Sequence, residues 1–429
     1  MNIQTLSARR TLLSIFLIFF SALLIASYSI FLQESNEYMG YHIIDLNLLY
    51  FLGPAISIIS GTLLIPIKII KPSDFFILFY GLLIIVPYGI LFSIMGQVKY
   101  IDFLLNITIL LIPAIIIKLT TNNQYQLNLP ELFSSKKIIN GIVVIAIFVS
   151  VYVIYNSPFT AGFDIETSYI RRLEAREIFT ASSLGAYASS ITLNGLLPII
   201  AFFSGAEKRK TLVIISLICA ILFFYAIGIK AQFLMIGLGY ILGRNARLNQ
   251  LPNMQRQVYL MIVFIFSIFF IEYLFSGYSY MADYIIRRIF TMPTFVMSGY
   301  FDLIYDPSQA WSPWIGIDYS RGVTYLVGEK YFNDSEANAN TNTFIFQLAS
   351  GGIPMYIVTI ALVNLFYLFV DSLYLAKKNS IFMYLGFIYA VLLIEQNATT
   401  ALLSSGVGLM LLIFTLGQNS GCKKLYVKI

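Results

Sequence analysis

The feature that most constrains this chain is a succession of long apolar runs separated by short polar breaks. A helix that crosses a bilayer needs about 20 mostly apolar residues, within a range of roughly 17–25. Such runs fall near 11–31, 46–67, 74–95, 101–117, 138–155 and 184–203. Six more follow near 211–228, 231–243, 258–275, 346–369, 381–395 and 401–416. A soluble globule cannot absorb so much apolar surface, because it still needs a polar exterior. Composition agrees: of 429 residues, 59% are hydrophobic and only 11% charged, where soluble domains carry about 25% charged residues. The expected fold is all-α, a polytopic helical bundle of about twelve transmembrane helices in one integral membrane domain. Pro54, Pro87, Pro113 and Pro198 sit inside runs, which membrane helices tolerate. The first run follows Arg9 and Arg10 as in a signal sequence, but it is long for one and lacks a small-residue cleavage site. It reads as a retained helix.

Charge follows the same alternation. With the N-terminus in the cytoplasm, the inner segments hold eighteen of the 27 basic residues and four of the 21 acids, namely Asp74, Glu131, Glu207 and Asp371. The outer segments and adjoining helix ends hold the other nine bases and 17 acids. The net +6 is therefore the difference between an inner excess of +14 and an outer −8, the pattern of the positive-inside rule. Both termini are expected in the cytoplasm, and the positive total marks the inner membrane surface, not a nucleic-acid partner. Cys219 and Cys422 lie far apart, His42 is the single histidine, and no CxxC, HExxH or Gly-rich phosphate loop occurs. No metal site and no cofactor is expected.

Two outer loops, 156–183 and 276–342, carry arginines on the side where the rule predicts few. In the first, the stretch from Ile165 to Thr180 reads as a surface helix. Residues three and four apart are helix neighbours, so Arg171 is expected to pair with Glu174. Arg172 and Arg176 share a stripe with Tyr169 and have no acid at helical spacing. Either an acid from elsewhere or plain solvation settles them, or they bind phosphate or diphosphate, which suits the forked donors of arginine. In the second loop Arg287 has Asp283 four residues earlier, whereas Arg288 has no such acid. Trp311 and Trp314 follow among many tyrosines, as interface anchors or as aromatic walls for sugar rings. Lys230, in the short GIKAQ turn, either snorkels to the surface or meets an anionic headgroup.

These residues resemble a known family. The plan of about twelve spans, cytoplasmic termini and two arginine-bearing outer loops, the larger one late, is similar to the O-antigen (oligosaccharide repeat-unit) polymerases of Gram-negative bacteria, the Wzy type. The matching pieces are GIKAQFLMI at 228–236, RRIFTMPTFVMSGYFDLI at 287–304 and GEKYFNDSEANANTNTFIFQLASGGIPMY at 328–356. The last joins an Asn-rich segment to a Gly-Gly start of a helix. The resemblance implies a glycosyltransferase of the inner membrane with its active site facing the periplasm. It would polymerise undecaprenyl-diphosphate-linked oligosaccharides, usually alongside a chain-length-regulating co-polymerase. Under that reading Arg172, Arg176, Arg288 and Lys230, then Arg287 and Arg321, would hold the diphosphate, where charge grows as it leaves. Glu329 would be the first choice of general base, with Asp283, Asp318 and Glu336 behind it. Tyr169, Trp311, Trp314, Asn338, Asn340 and Asn342 would contact sugars, although Asn-rich segments also simply build turns.

Two alternatives stand beside it. O-antigen ligases share topology and donor but carry an outer-loop histidine followed by glycines, where Asn340–Gly352 here offers Thr and Asn. A flippase or transporter of lipid-linked oligosaccharide keeps charges at mid-membrane, whereas these arginines concentrate outside.

Overall fold

The computed structural model describes residues 3–43, 48–95, 100–122, 125–127, 129–130, 132–158, 160–164, 167–179, 183–306 and 311–417. Glu131, the ends 165–166 and 180 of the expected first-loop helix, and the tail with Cys422, Lys423, Lys424 and Lys428 lie outside the described residues. Among those described, the chain is helical, without strands and with only two isolated bridges.

Helix covers most of each of the twelve apolar runs, but among the described residues eight helices are long and apolar enough to cross a membrane. These are Ser7–Ser35, Pro72–Met95, Asp102–Thr120, Lys136–Tyr155, Leu184–Glu207, Lys210–Ile227, Leu251–Ser276 and Thr343–Lys377. The other runs fall on shorter pieces: Leu48–Leu64, Ala231–Arg247, Ser380–Leu392, and the pair Ala398–Leu403 and Val407–Thr415. The last run is thus not one continuous helix, and the helix of the run before it ends early, at Leu392. The polar trio Glu395, Gln396 and Asn397 follows that end, and Asn397 caps the next helix by accepting the Thr399 N–H at 3.4 Å. Gly406, at φ 79°, then resets the chain before Val407.

The helix ends sort into two sets. At one end, cations complete helix C-terminal carbonyls that lack partners within their own helix. Arg10 reaches the carbonyls of Thr62 and Ile65, and Lys118 those of Leu63 and Leu64. Lys71 donates to Thr121, and Lys377 to Thr415 at 2.7 Å. Asp371 accepts both the N–H and the hydroxyl of Ser73, at 2.9 and 2.6 Å, with Lys71 3.8 Å away. All these residues come from segments expected on the inner side. At the opposite end the Tyr28 hydroxyl donates to the His42 carbonyl, the Gly162 N–H to Tyr225, and the Thr343 N–H to Leu393. Those come from segments expected outside.

Two further features position the outer residues. Leu184–Glu207 and Ala231–Arg247 lie backbone to backbone: Gly239 abuts the Pro198 carbonyl and Gly243 that of Phe202, where any Cβ would collide. Small residues permit this approach in membranes. The expected second loop, in turn, is largely packed helix. It runs as a π-helix over Ala282–Thr291 and an α-helix over Met292–Tyr305. Phe290 meets Phe20 at 5.2 Å, and Phe301 meets Tyr88 at 5.7 Å. The following segment is stitched to a break in Thr343–Lys377 at Gly352, where φ is 66° and ψ −166°. There the Ile353 N–H bonds the Pro313 carbonyl at 2.7 Å, and Ile317 bonds Ala349 at 2.8 Å. The Gly-Gly pair therefore makes a kink inside the helix; the helix itself begins at Asn342.

Candidate functional site

The first-loop helix spans Ser168–Ile178. Its buried residues are Ser168, Arg171 and Ala175, spaced three and four apart and so on one face. Arg171 is 0% exposed. Its guanidinium donates to the Thr167 hydroxyl at 2.9 Å and the Asp164 carbonyl at 2.6 Å, and lies 5.4 Å from the Phe224 ring centroid. Its Nε has no hydrogen-bond partner. The expected pair of Arg171 with Glu174 is not formed, because packing on Phe224 turns the guanidinium inward. Glu174 instead accepts the Thr160 hydroxyl.

The opposite face carries Tyr169, Arg172 and Arg176, all exposed. Neither of these arginines makes an ion pair or a hydrogen bond among the described residues. Arg172 reaches solvent, yet the protein crowding around it lowers its pKa, and Arg176 adds repulsion. The helix is seated by glycine. Gly228, at φ 78°, presses against the Ser168 carbonyl, where a Cβ would collide. The same turn carries Lys230, exposed and at the N-cap of Ala231–Arg247. Just inside it, Gln232 is buried with an unpartnered Oε1, and so are the hydroxyls of Ser189 and Thr192 on the adjoining helix. Buried polar atoms without partners are few in folded proteins, and these three are among them.

The second set divides. Arg287 is buried, paired with Asp283 at 3.0 Å, and bonded through its Nε–H to the Asp283 carbonyl. The Asp283 carboxylate also accepts the Tyr278 hydroxyl at 3.1 Å. Both are occupied with each other, which removes Arg287 as an available cation and Asp283 as an available base. Arg288 points to solvent and has no ion pair or hydrogen bond among the described residues. Arg321 bonds Glu336 at 2.8 Å and covers the Tyr325 ring; that hydrogen bond holds its pKa above the usual value. Glu329 accepts the Tyr319 hydroxyl at 2.8 Å, which raises the tyrosine's pKa. Asp318 is exposed and makes no such bond among the described residues.

The aromatic and amide candidates also separate. Trp311 is tied down, its indole N–H bonding the Leu348 carbonyl at 3.1 Å, whereas Trp314 is 77% exposed. Asn338 and Asn340 face solvent. Asn342 is buried and caps Thr343–Lys377, accepting the N–H groups of Phe344 and Ile345 at 3.2 Å. It shapes the chain and has no amide oxygen to offer a sugar.

Three charged residues outside the sequence-based set emerge. Arg171 positions the first-loop helix. Asp302 accepts the Tyr331 hydroxyl at 2.9 Å. Glu395 stands in the turn after Ser380–Leu392, exposed, with no side-chain bond among the described residues. The interrupting triplet Glu-Gln-Asn was the available signal for it. A crevice of about 10 Å³ lined by Gly40, His42, Phe92, Met95, Phe295, Ser298 and Tyr331 includes none of the candidates. Among the described residues no group of three or more His, Cys, Asp or Glu is placed to hold a metal. No family model, curated protein or solved structure matches the chain.

Proposed function

We propose that the protein is a membrane glycosyltransferase that polymerises oligosaccharide repeat units carried on undecaprenyl diphosphate, at the periplasmic face of a bacterial inner membrane. The reading keeps about twelve passes, cytoplasmic termini, and a co-polymerase as partner. The observation that carries it is the pair Arg172 and Arg176, held exposed and unpaired on a helix whose buried face is locked by Arg171. Two guanidiniums on one stripe repel each other, and an arrangement that maintains them suits a dianionic partner. A diphosphate ester meets that need, and its lipid tail suits a site at the outer ends of membrane helices.

In the proposed step, a hydroxyl at the non-reducing end of one lipid-linked unit attacks the anomeric carbon of a growing chain. The bond from that carbon to the diphosphate breaks, and undecaprenyl diphosphate departs with its negative charge. Cations fixed in advance lower this barrier, since they need no reorganisation as charge develops. Arg172, Arg176 and Arg288 take that role, with Lys230, from the turn whose Gly228 touches Ser168, as a further cation. Trp314 and Tyr169 offer apolar ring faces to sugars.

The test is polymerisation by purified protein in lipid nanodiscs, fed lipid-linked repeat units extracted from the bacterium that makes it. A ladder of products that is lost in Arg172→Ala and Arg288→Ala supports the reading. A strict need for a lipid A core acceptor would assign the chain to ligation instead. Normal polymer in cells carrying both variants would remove the diphosphate assignment.

A further inference from the structure

The crevice beside Gly40 combines small size with one-sided hydrogen-bonding chemistry. Gly40, at φ 85°, closes the short turn Glu37–Met39, and the chain then passes His42, the single histidine of the protein. This strip is pinned from several directions. The buried Tyr28 hydroxyl donates to the His42 carbonyl at 2.8 Å. The Tyr41 and Phe295 rings meet at 5.1 Å, and a guanidinium nitrogen of Arg287 lies 3.6 Å from the Met39 sulfur. The strip is therefore packed on the helices Ala282–Thr291 and Met292–Tyr305, the first of which carries Arg287 and Arg288.

Three polar side chains line the crevice, and each has given its proton away. The His42 Nδ1 lies 2.9 Å from the Gly40 carbonyl. A carbonyl only accepts, so Nδ1 carries the hydrogen, and Nε2 of the neutral ring is left as an acceptor. The Ser298 hydroxyl donates to the Phe295 carbonyl at 2.7 Å, and the Tyr331 hydroxyl to Asp302 at 2.9 Å. What all three still offer is lone pairs, in a crevice also walled by Phe92 and Phe295. Such a set suits a group that donates a hydrogen bond. The volume of about 10 Å³ admits roughly one oxygen-sized group. A single sugar hydroxyl meets both conditions, and the C–H groups beside it suit aromatic walls.

We propose that this crevice receives the acceptor hydroxyl and that His42 is the general base of the transfer; the assignment rests on the function proposed above. Of the three polar side chains, only histidine takes up a proton near neutral pH. As the acceptor oxygen bonds the anomeric carbon, its proton passes to Nε2. The imidazolium that forms keeps its Nδ1–H on the Gly40 carbonyl, which holds the ring in place throughout. The bond from the anomeric carbon to the diphosphate oxygen breaks with its electron pair, and undecaprenyl diphosphate departs with that charge. Proton loss from Nε2 to water restores the base. Glu329, already accepting from Tyr319, is displaced as first choice.

The experiment compares wild type, His42→Ala and Ser298→Ala in the nanodisc assay, with binding of undecaprenyl diphosphate measured separately. Removing a general base costs about 10²–10⁴-fold in rate. His42→Ala is expected to lose at least about a hundredfold in initial rate while its Kd for undecaprenyl diphosphate stays within about threefold. Added imidazole, which fits the space the ring vacates, is expected to return about tenfold of that loss. Ser298→Ala removes one acceptor and is expected to lower the rate at limiting substrate about two- to tenfold, the usual worth of one hydrogen bond. A His42→Ala rate close to wild type would overturn the role while a wild-type ladder preserved the function. A loss that imidazole does not restore would make His42 a structural residue and also overturn the role. An unchanged Ser298→Ala rate would remove the crevice as the seat of the acceptor. No ladder from wild type would overturn both readings.

Discussion

The two ends of this bundle use the same kinds of residue in opposite ways. At the end expected in the cytoplasm, Arg10, Lys71, Lys118 and Lys377 each complete a backbone carbonyl at a helix terminus. Their charge opposes the negative pole of the helix dipole and holds neighbouring helices together. At the other end Arg172, Arg176 and Arg288 make no such bonds among the described residues, and the hydroxyls of Ser189 and Thr192 are buried without partners. These inner cations are spent on backbone carbonyls, whereas the outer end divides its arginines: Arg171, Arg287 and Arg321 are engaged, and Arg172, Arg176 and Arg288 are left without bonds among the described residues. Total charge says nothing of this, since only the partners of each side chain reveal it.

The comparison breaks most severely at Gly228. Valine there would meet both a left-handed backbone and the Ser168 carbonyl, and either alone is strongly disfavoured. Gly228→Val is expected to abolish polymerisation and lower the thermal midpoint, as read by product ladders and differential scanning fluorimetry. Unchanged activity would show that the seating of the first-loop helix is irrelevant to function.

A sharper contrast comes from swapping the two ends. Lys118→Met removes a charged donor from two carbonyls, a loss of about 1–3 kcal/mol; the thermal midpoint should fall while the rate per folded molecule holds. Arg172→Ala should do the reverse, with the midpoint steady and diphosphate affinity down about tenfold or more, from a charge-assisted contact of about 1.5–3 kcal/mol. If both variants change stability alone, the two ends are not specialised.

The smallest effect concerns Tyr319 and Glu329. The hydrogen bond raises the folded pKa of the tyrosine. Its stabilisation is complete below the unfolded tyrosine value of about 10 and is lost as pH rises through the higher folded value. Wild type should therefore lose slightly more stability than Tyr319→Phe under alkaline conditions. Parallel melting curves for the two would remove the contact from consideration.

How far the sequence carried can be judged at particular residues. Helix took most of each apolar window, since apolar residues in lipid must satisfy their own backbone, but only eight of the helices among the described residues are long and apolar enough to cross a membrane. Asn342 before Thr343–Lys377 follows ordinary capping chemistry, and the pairing of Arg287 with Asp283 follows from spacing. The turn at Glu395 shows in the sequence as the break between the runs 381–395 and 401–416, but the early end of Ser380–Leu392 does not, because the residues through 394 stay apolar. Arg171 was misread because spacing identifies helix neighbours but not which face is covered. Only Phe224, from a separate helix, decides that.

The bond between Ser73 and Asp371 joins residues 298 positions apart. Synthesis at about 5–20 residues per second separates their emergence by roughly 15–60 s. Throughout that interval the start of Pro72–Met95 must wait with its Ser73 N–H unanswered. With that end on the cytoplasmic side, as the charge distribution leads one to expect, the waiting N–H lies at the membrane face where translation occurs and meets water there. The carboxylate that closes this end comes late, which makes its arrival a natural last step in assembly.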